Sequence, residues 1–140
     1  MRQSMQVLEV HARRRGLHEF TGDVRAWVAK QGIENGMLTL FCRHTSASLL
    51  IQENAAGAVR RDLEKYFDEL APEGDQYEHD DEGPDDMPAH LKTALTQVQL
   101  SVPVMQGKLM LGTWQGIYLF EHRDSAPQRE IVLHLTGEPE

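Results

Sequence analysis

Residues 98–136 read VQLSVPVMQGKLMLGTWQGIYLFEHRDSAPQREIVLHLT, and the fold class turns on them. Four runs, Val98–Met105, Lys108–Leu111, Trp114–His122 and Glu130–Thr136, are rich in β-branched, aromatic and other apolar residues. Turn formers separate them at Gln106-Gly107 and around Asp124–Gln128. The breaks are too short to hold crossover helices, so the pattern predicts an antiparallel meander and not βαβ units.

Upstream of it the periodicity changes. Met5–Val10 alternates weakly and reads as a strand. Thr21 reads as the N-cap of a helix carrying Val24, Trp27 and Val28, with Gly32 as its stop. Gly36 restarts the chain into the strand Met37–Arg43, and Ala47–Gln52 is a short extended piece. Asn54 suits the N-cap of a second helix, whose Val59, Leu63, Phe67 and Leu70 recur at helical intervals before Pro72 and Gly74 end it. Pro88 suits the first turn of a third helix with Leu91 and Leu95 on one face. The predicted class is α+β: one domain over residues 1–140, a mostly antiparallel sheet or sandwich with about three inserted helices.

Composition bounds the function. The chain has 22 acidic and 14 basic residues, and eight of the acids lie between Glu73 and Asp86, where there is no Lys or Arg. The remaining surface is electrically balanced, which argues against binding nucleic acid through its phosphates. The one dense basic cluster, Arg13-Arg14-Arg15, is short. A single cysteine, Cys42, excludes an intrachain disulfide. No apolar run approaches the roughly 20 residues of a membrane span, and the first residues lack a signal-peptide core. A cytoplasmic, membrane-independent protein is the expectation.

The acidic stretch narrows to Glu78-His79-Asp80-Asp81-Glu82-Gly83-Pro84-Asp85-Asp86-Met87-Pro88-Ala89-His90, with six carboxylates and two imidazoles. Carboxylates this close repel one another, so gathering them is favoured when a cation sits among them. A solvated acidic loop is the plainer use of such a run. The flanking His79 and His90 tip the reading towards a metal or a cationic substrate, with Asp80, Asp81, Asp85 and Asp86 as oxygen donors.

Three further groups bear chemistry. Alternation along Met37–Arg43 places Leu38, Leu40, Cys42 and His44 on one face. A histidine there is more commonly a hydrogen-bonded core-edge residue than a ligand. Thr45, Ser46 and Ser48 follow it, and adjacency alone does not make a nucleophile–base pair of them. Glu53-Asn54 precedes a helix, where an acid and an Asn cap are both expected. Gly112-Thr113-Trp114-Gln115-Gly116 brackets Trp114 and Gln115 with glycines that mark a bulge or close approach, and the strand after it ends in Glu121-His122-Arg123. His44, His79, His90 and His122 all lie in loops or at element ends, where functional groups concentrate.

Taken together, His44-Thr45-Ser46-Ala47-Ser48-Leu49, Glu53-Asn54, Tyr77-Glu78-His79-Asp80, Asp85-Asp86-Met87-Pro88-Ala89-His90, Gly112–Gly116 and Glu121-His122-Arg123 resemble the YjbQ-type proteins, in order and over essentially the whole chain. The resemblance implies a compact α+β domain, a homotrimer and a secondary thiamine-phosphate synthase activity, which joins hydroxymethylpyrimidine diphosphate to a thiazole phosphate and releases pyrophosphate. The expected site residues are His44, Glu53, Asp86 and His122 for catalysis and His79, His90, His44 and Asp80 for a divalent metal. Ser46, Asn54, Trp114 and Gln115 are expected to contact a small phosphorylated substrate. Magnesium would suit the carboxylates and a diphosphate; zinc would suit the imidazoles. The imidazoles equally suit a metal-dependent hydrolase of a small substrate, and a closed ligand shell would suit a non-enzymatic metal- or ligand-binding trimer.

Overall fold

In the computed structural model, which describes residues 1–139, the chain forms eight strands and three helices. They run β1 (Arg2–Val10), β2 (Gly16–Glu19), α1 (Thr21–Ala29), β3 (Ile33–Cys42), β4 (Ala47–Glu53), α2 (Gly57–Leu70), α3 (Asp86–Leu95), β5 (Gln99–Met105), β6 (Lys108–Leu109), β7 (Gln115–Glu121) and β8 (Arg129–Pro139). All pairings are antiparallel, in a five-stranded sheet of order β1-β8-β3-β5-β6 and a three-stranded sheet of order β2-β7-β4. The α+β class stands.

The sheets face each other across one core. Leu38, Leu40, Leu100, Val102, Ile131, Leu133 and Leu135 of the larger sheet meet Ala47, Leu49, Ile117 and Leu119 of the smaller. Val24 and Val28 of α1 join the same core. On its other face, the smaller sheet presents Leu17, Tyr118 and Phe120 to Leu63 and Phe67 of α2. β7 is therefore buried on both faces, which is why Ile117–Phe120 is a continuous apolar run and not an alternating one. The outer face of the larger sheet carries no helix, and Met5, Val7, Met37, Phe41 and Met105 are exposed on it.

Several local expectations change. The four C-terminal runs are not a meander: β5 pairs with β3, β7 crosses to the smaller sheet between β2 and β4, and β8 returns between β1 and β3. Alternation specifies which side of a strand is buried but not which sheet receives it. Gly36 lies inside β3, not at its start, paired with both Val104 and Gly137. A Cβ there would sit 2.0 Å from the Thr136 carbonyl oxygen, so that close approach needs glycine. Thr21 is the first helical residue of α1 and not its cap; its hydroxyl donates to Glu19 and accepts the Ile117 N–H. Asn54 does not cap α2. The Glu53 carboxylate accepts the Ala55 and Ala56 N–H groups instead, while Asn54 donates to Glu19. The four-residue β2 went unread.

Candidate metal centre

The acidic segment enters α3 at Asp86, and Pro88 occupies its first turn, where a missing N–H costs nothing. Once that helix forms, Asp86 and His90 lie one turn apart on the same face. Gly83, at φ +102°, turns the preceding loop back so that His79 reaches the same point. Asp86 Oδ2 is 2.8 Å from His79 Nε2 and 3.1 Å from His90 Nε2. The three donor atoms lie within 4.8 Å of one another.

Neighbouring groups fix the orientations of His90 and Asp86. His90 Nδ1–H donates to the Thr45 carbonyl at 2.8 Å, leaving Nε2 unprotonated in the neutral ring and directed at Asp86. Arg123 Nη1 donates to Asp86 Oδ1 at 2.5 Å and Nη2 donates to the Glu82 carbonyl at 2.9 Å. The carboxylate of Asp85 stands 3.3 Å from Arg123 Nε and accepts the Asp124 N–H. One Asp86 oxygen is thus committed to the guanidinium and the other is presented to the imidazoles. Burial pushes the Asp86 carboxyl up, but His79, His90 and Arg123 outweigh it and hold the group below its ordinary range. The Asp86 hydrogen bond, helped by Asp81 and Glu82, raises His79.

Two imidazole nitrogens and one carboxylate oxygen are the donor set of an open zinc-type or related transition-metal site. Their separations, close to 3 Å for two pairs, are near those of neighbouring ligands on a four-coordinate ion. The residues therefore fit a divalent metal. Asp81 and Glu82 form a second, fully exposed group with His79. Asp80 is exposed and belongs to neither set; it lines an opening of about 680 Å³ together with Gln76, Tyr77, Glu78, His79, Asp81 and Met87.

His44 faces elsewhere. Its Nε2 accepts the Glu130 N–H at 2.8 Å, and its Nδ1 lies 3.4 Å from Arg129 Nη1. Burial and the Arg129 charge lower its pKa, and the neutral ring that accepts at Nε2 carries its proton on Nδ1, beside the guanidinium. Arg129 is held in turn by the buried Glu121 carboxylate at 2.7 and 2.6 Å, and it donates to the Ser46 hydroxyl at 3.0 Å. Glu121 also accepts the Arg123 N–H, tying this pair to the residue that clamps Asp86.

His122 is fully buried and pairs with Ser48 Oγ at 2.9 Å, while Thr96 donates to the same Ser48 oxygen at 2.6 Å. Burial, then the Lys92 and Arg129 charges, push His122 down to about 3, so it stays neutral. No carboxylate orients it among the described residues, and its Nδ1 has no partner there. This is a buried packing network and not a nucleophile–base pair open to substrate.

Glu53, Asn54, Trp114 and Gln115 gather at the opposite end of the smaller sheet. The register runs from Ala47↔Glu121 to Glu53↔Gln115, a separation of about 20 Å at strand rise. There the Asn54 N–H donates to the Trp114 carbonyl, Gln115 accepts the Gly112 N–H, and Trp114 is 63 % exposed. A Cβ on Gly116 would come 2.4 Å from Glu19 Oε2, which accounts for that glycine. Within one chain these residues share no pocket with His79, Asp86 and His90.

Arg123 and the Thr45 carbonyl escaped the sequence reading. The first was legible as the close of Glu121-His122-Arg123; the second is a backbone group that no side-chain motif reveals.

The description "UPF0047 protein YjbQ-like" matches residues 6–138. UPF0047 protein sll1880 of Synechocystis is 46 % identical over 138 residues, covering 98 % of this chain and 94 % of that protein. UPF0047 protein YjbQ of Salmonella typhimurium is 46 % identical over 125 residues, covering 89 % and 91 %. Among solved structures, a YbjQ-like protein of unknown function from Sulfolobus solfataricus superposes with a TM-score of 0.90 at 28 % identity, covering 98 % of this chain and 99 % of that one. A YjbQ/UPF0047 family protein from Clostridium acetobutylicum gives 0.81 at 32 %, covering 95 % and 99 %. The chain belongs to the UPF0047 YjbQ-like family.

Proposed function

We propose that this chain is a metal-dependent enzyme whose divalent metal is held by His79, Asp86 and His90. The observation that carries the reading is the division of Asp86: Arg123 holds one oxygen, and the other is aimed at two imidazole nitrogens. The set favours zinc or a similar transition metal over magnesium, because two imidazoles are poor magnesium ligands. Three protein ligands leave a position open for water or substrate. A bound metal of this kind supplies Lewis acidity and an acidified water. The chain's own residues hold the donors in place and, through Thr45, keep His90 in the tautomer that presents Nε2.

For the reaction, we propose formation of thiamine phosphate from its two phosphorylated halves as the activity to test first, on the strength of the family resemblance. Metal-dependent hydrolysis of a small substrate is the second reading. It is favoured by the opening beside His79, lined by Glu78, Asp80 and Asp81 with no Lys or Arg, which repels a free diphosphate. Assembly as a homotrimer is part of the proposal, supported by the uncovered apolar face of the larger sheet.

Metal analysis of tag-free protein by mass spectrometry should find about one zinc-class ion per chain. His79→Ala and His90→Ala should each lose that metal while their metal-free thermal midpoints stay near that of the metal-free parent. Thiamine-phosphate formation should require added metal and vanish on chelation. Full activity in excess chelator refutes the metal reading. Well-metallated protein that makes no thiamine phosphate refutes the synthase and leaves hydrolysis standing.

A further inference from the structure

His90 is a partition. Its Nε2 faces Asp86 and the acidic opening lies beyond His79; on its other side is a second cleft of about 650 Å³. The cleft runs between the end of β3, with the loop after it, and the last turns of α3. Phe41, Cys42, Ala94 and Val98 form its apolar surfaces, with Thr45 and His90 at the boundary with the metal centre. Its size is that of a small-molecule site.

The polar groups around it are already engaged. The Thr45 carbonyl is occupied by His90 Nδ1–H. His44 is uncharged between the Glu130 N–H and Arg129. Arg43, the cleft's one cation, is paired with Glu130 at 3.3 Å. The Cys42 thiol donates to the Ala47 carbonyl at 3.5 Å, and burial raises it to about 11, so it is not a thiolate. Thr93 Oγ1 has no partner among the described residues, but it is closed off from solvent. Among the described residues no carboxylate lines the cleft, in contrast to the opening beyond His79. A charged group here would lose hydration and find no free counter-charge; an uncharged apolar group would lose nothing.

We propose that the Phe41–Ala94–Val98 cleft is the subsite for an uncharged apolar group, a ring or short hydrocarbon, of a small-molecule substrate whose donor group sits at His79, Asp86 and His90. This rests on the metal reading above and adds the substrate class: a molecule with a metal-seeking head and an uncharged apolar body within one imidazole width of it. Phe41, exposed to 45 %, forms one wall, and an aromatic wall suits a planar ring.

The test uses the zinc-loaded full chain and two hydroxamates with the same metal-binding head, acetohydroxamate and benzohydroxamate, titrated calorimetrically. Benzohydroxamate should bind roughly tenfold or more tightly, reflecting burial of its ring. Ala94→Trp, which fills the cleft, should reduce that preference to under about threefold. It should leave zinc and acetohydroxamate affinities within about twofold of the parent. Phe41→Ser, which removes a wall, should weaken benzohydroxamate and leave zinc and acetohydroxamate affinities near those of the parent, compared at the same oligomeric state. Equal affinities for the two hydroxamates, or a preference that survives both substitutions, overturns the cleft while the metal centre stands. Failure to bind zinc overturns both.

Discussion

Asp86 has two oxygens and three cationic or proton-bearing neighbours competing for them. Arg123 takes Oδ1, and His79 and His90 converge on Oδ2. If Oδ2 is a metal ligand, Arg123 sets its direction without touching the metal. Arg123→Met should then weaken zinc binding by about 10–100-fold, the usual effect of losing such a partner. Arg123→Lys should recover little, since a point charge cannot engage Asp86 and the Glu82 carbonyl as a fork does. A competition titration with a chromophoric chelator measures both, and an unchanged zinc affinity in Arg123→Met would remove the positioning role.

Without metal, the same residues trap a proton, and the sign of each effect follows from its shift. The raised His79 pKa adds stability that is complete below the ordinary histidine value of about 6.5 and is lost as pH rises through the folded value. The depressed Asp86 pKa adds stability that is complete above the ordinary carboxylate value of about 4 and is lost as pH falls through the folded value. The metal-free pair therefore contributes most between about pH 4 and 6.5. A metal needs His79 deprotonated, so it gains where the proton leaves. The zinc-induced rise in thermal midpoint should be small at about pH 5 and larger at about pH 8. A rise independent of pH would show that His79 is not a ligand. At this scale the meeting of His79, Asp86 and His90 was legible, because the two imidazoles flank the acids at spacings that a loop and one helical turn bring together. The hydrogen-bonded settings of His44 and His122 were not, because their partners Arg129, Glu130 and Ser48 come from distant strands.

Helix α3 turns a linear motif into a site. Asp86 and His90 are four residues apart, a spacing that means proximity only once the segment is helical, and Pro88 in the first turn gave that signal. Helix α2 shows the converse. Glu53 is expected at the site from the family resemblance, yet its carboxylate is engaged by the Ala55 and Ala56 N–H groups of the turn that leads into α2. Glu53→Ala should cost about 1 kcal/mol, the ordinary net worth of hydrogen bonds to a turn backbone, and leave zinc affinity unchanged. Denaturant unfolding beside the zinc titration separates the two roles; a loss of zinc affinity would place Glu53 in the site after all. The failed meander belongs to this scale too. The strands between residues 98 and 136 were legible one by one, since each run is apolar and bounded by turn formers. Their pairing was not. The double-sided burial of Tyr118 and Leu119 is the clue that β7 lies inside a layered structure and not in a sheet with one wet face.

Across the whole molecule, the sandwich holds two chemically distinct ends about 20 Å apart along β4 and β7, with an uncovered apolar face beside them. On that face the register aligns Val7, Val132 and Phe41 in an apolar row across three strands, and Met37 with Pro103 in a second, shorter row four residues along β3. A stripe of this kind on a free monomer invites association, and β1 adds a nine-residue edge strand open to pairing. A second and third copy closing a ring would cover the face by rotational symmetry without leaving an open end. For the trimer that the family resemblance implies, light scattering should give three times the chain mass at micromolar concentration. Val7→Lys places a charge at the β1 end of the longer row and leaves the core of the monomer untouched, because Val7 points outward. That variant should shift the population towards monomer, with a thermal midpoint that falls and becomes dependent on protein concentration. It should keep the zinc affinity of the parent, since His79, Asp86, His90 and Arg123 all come from one chain. A parent that scatters as a monomer would end the assembly proposal. A Val7→Lys variant that remains trimeric would move the interface off this face. Loss of zinc on dissociation would mean that a neighbouring copy completes the metal shell.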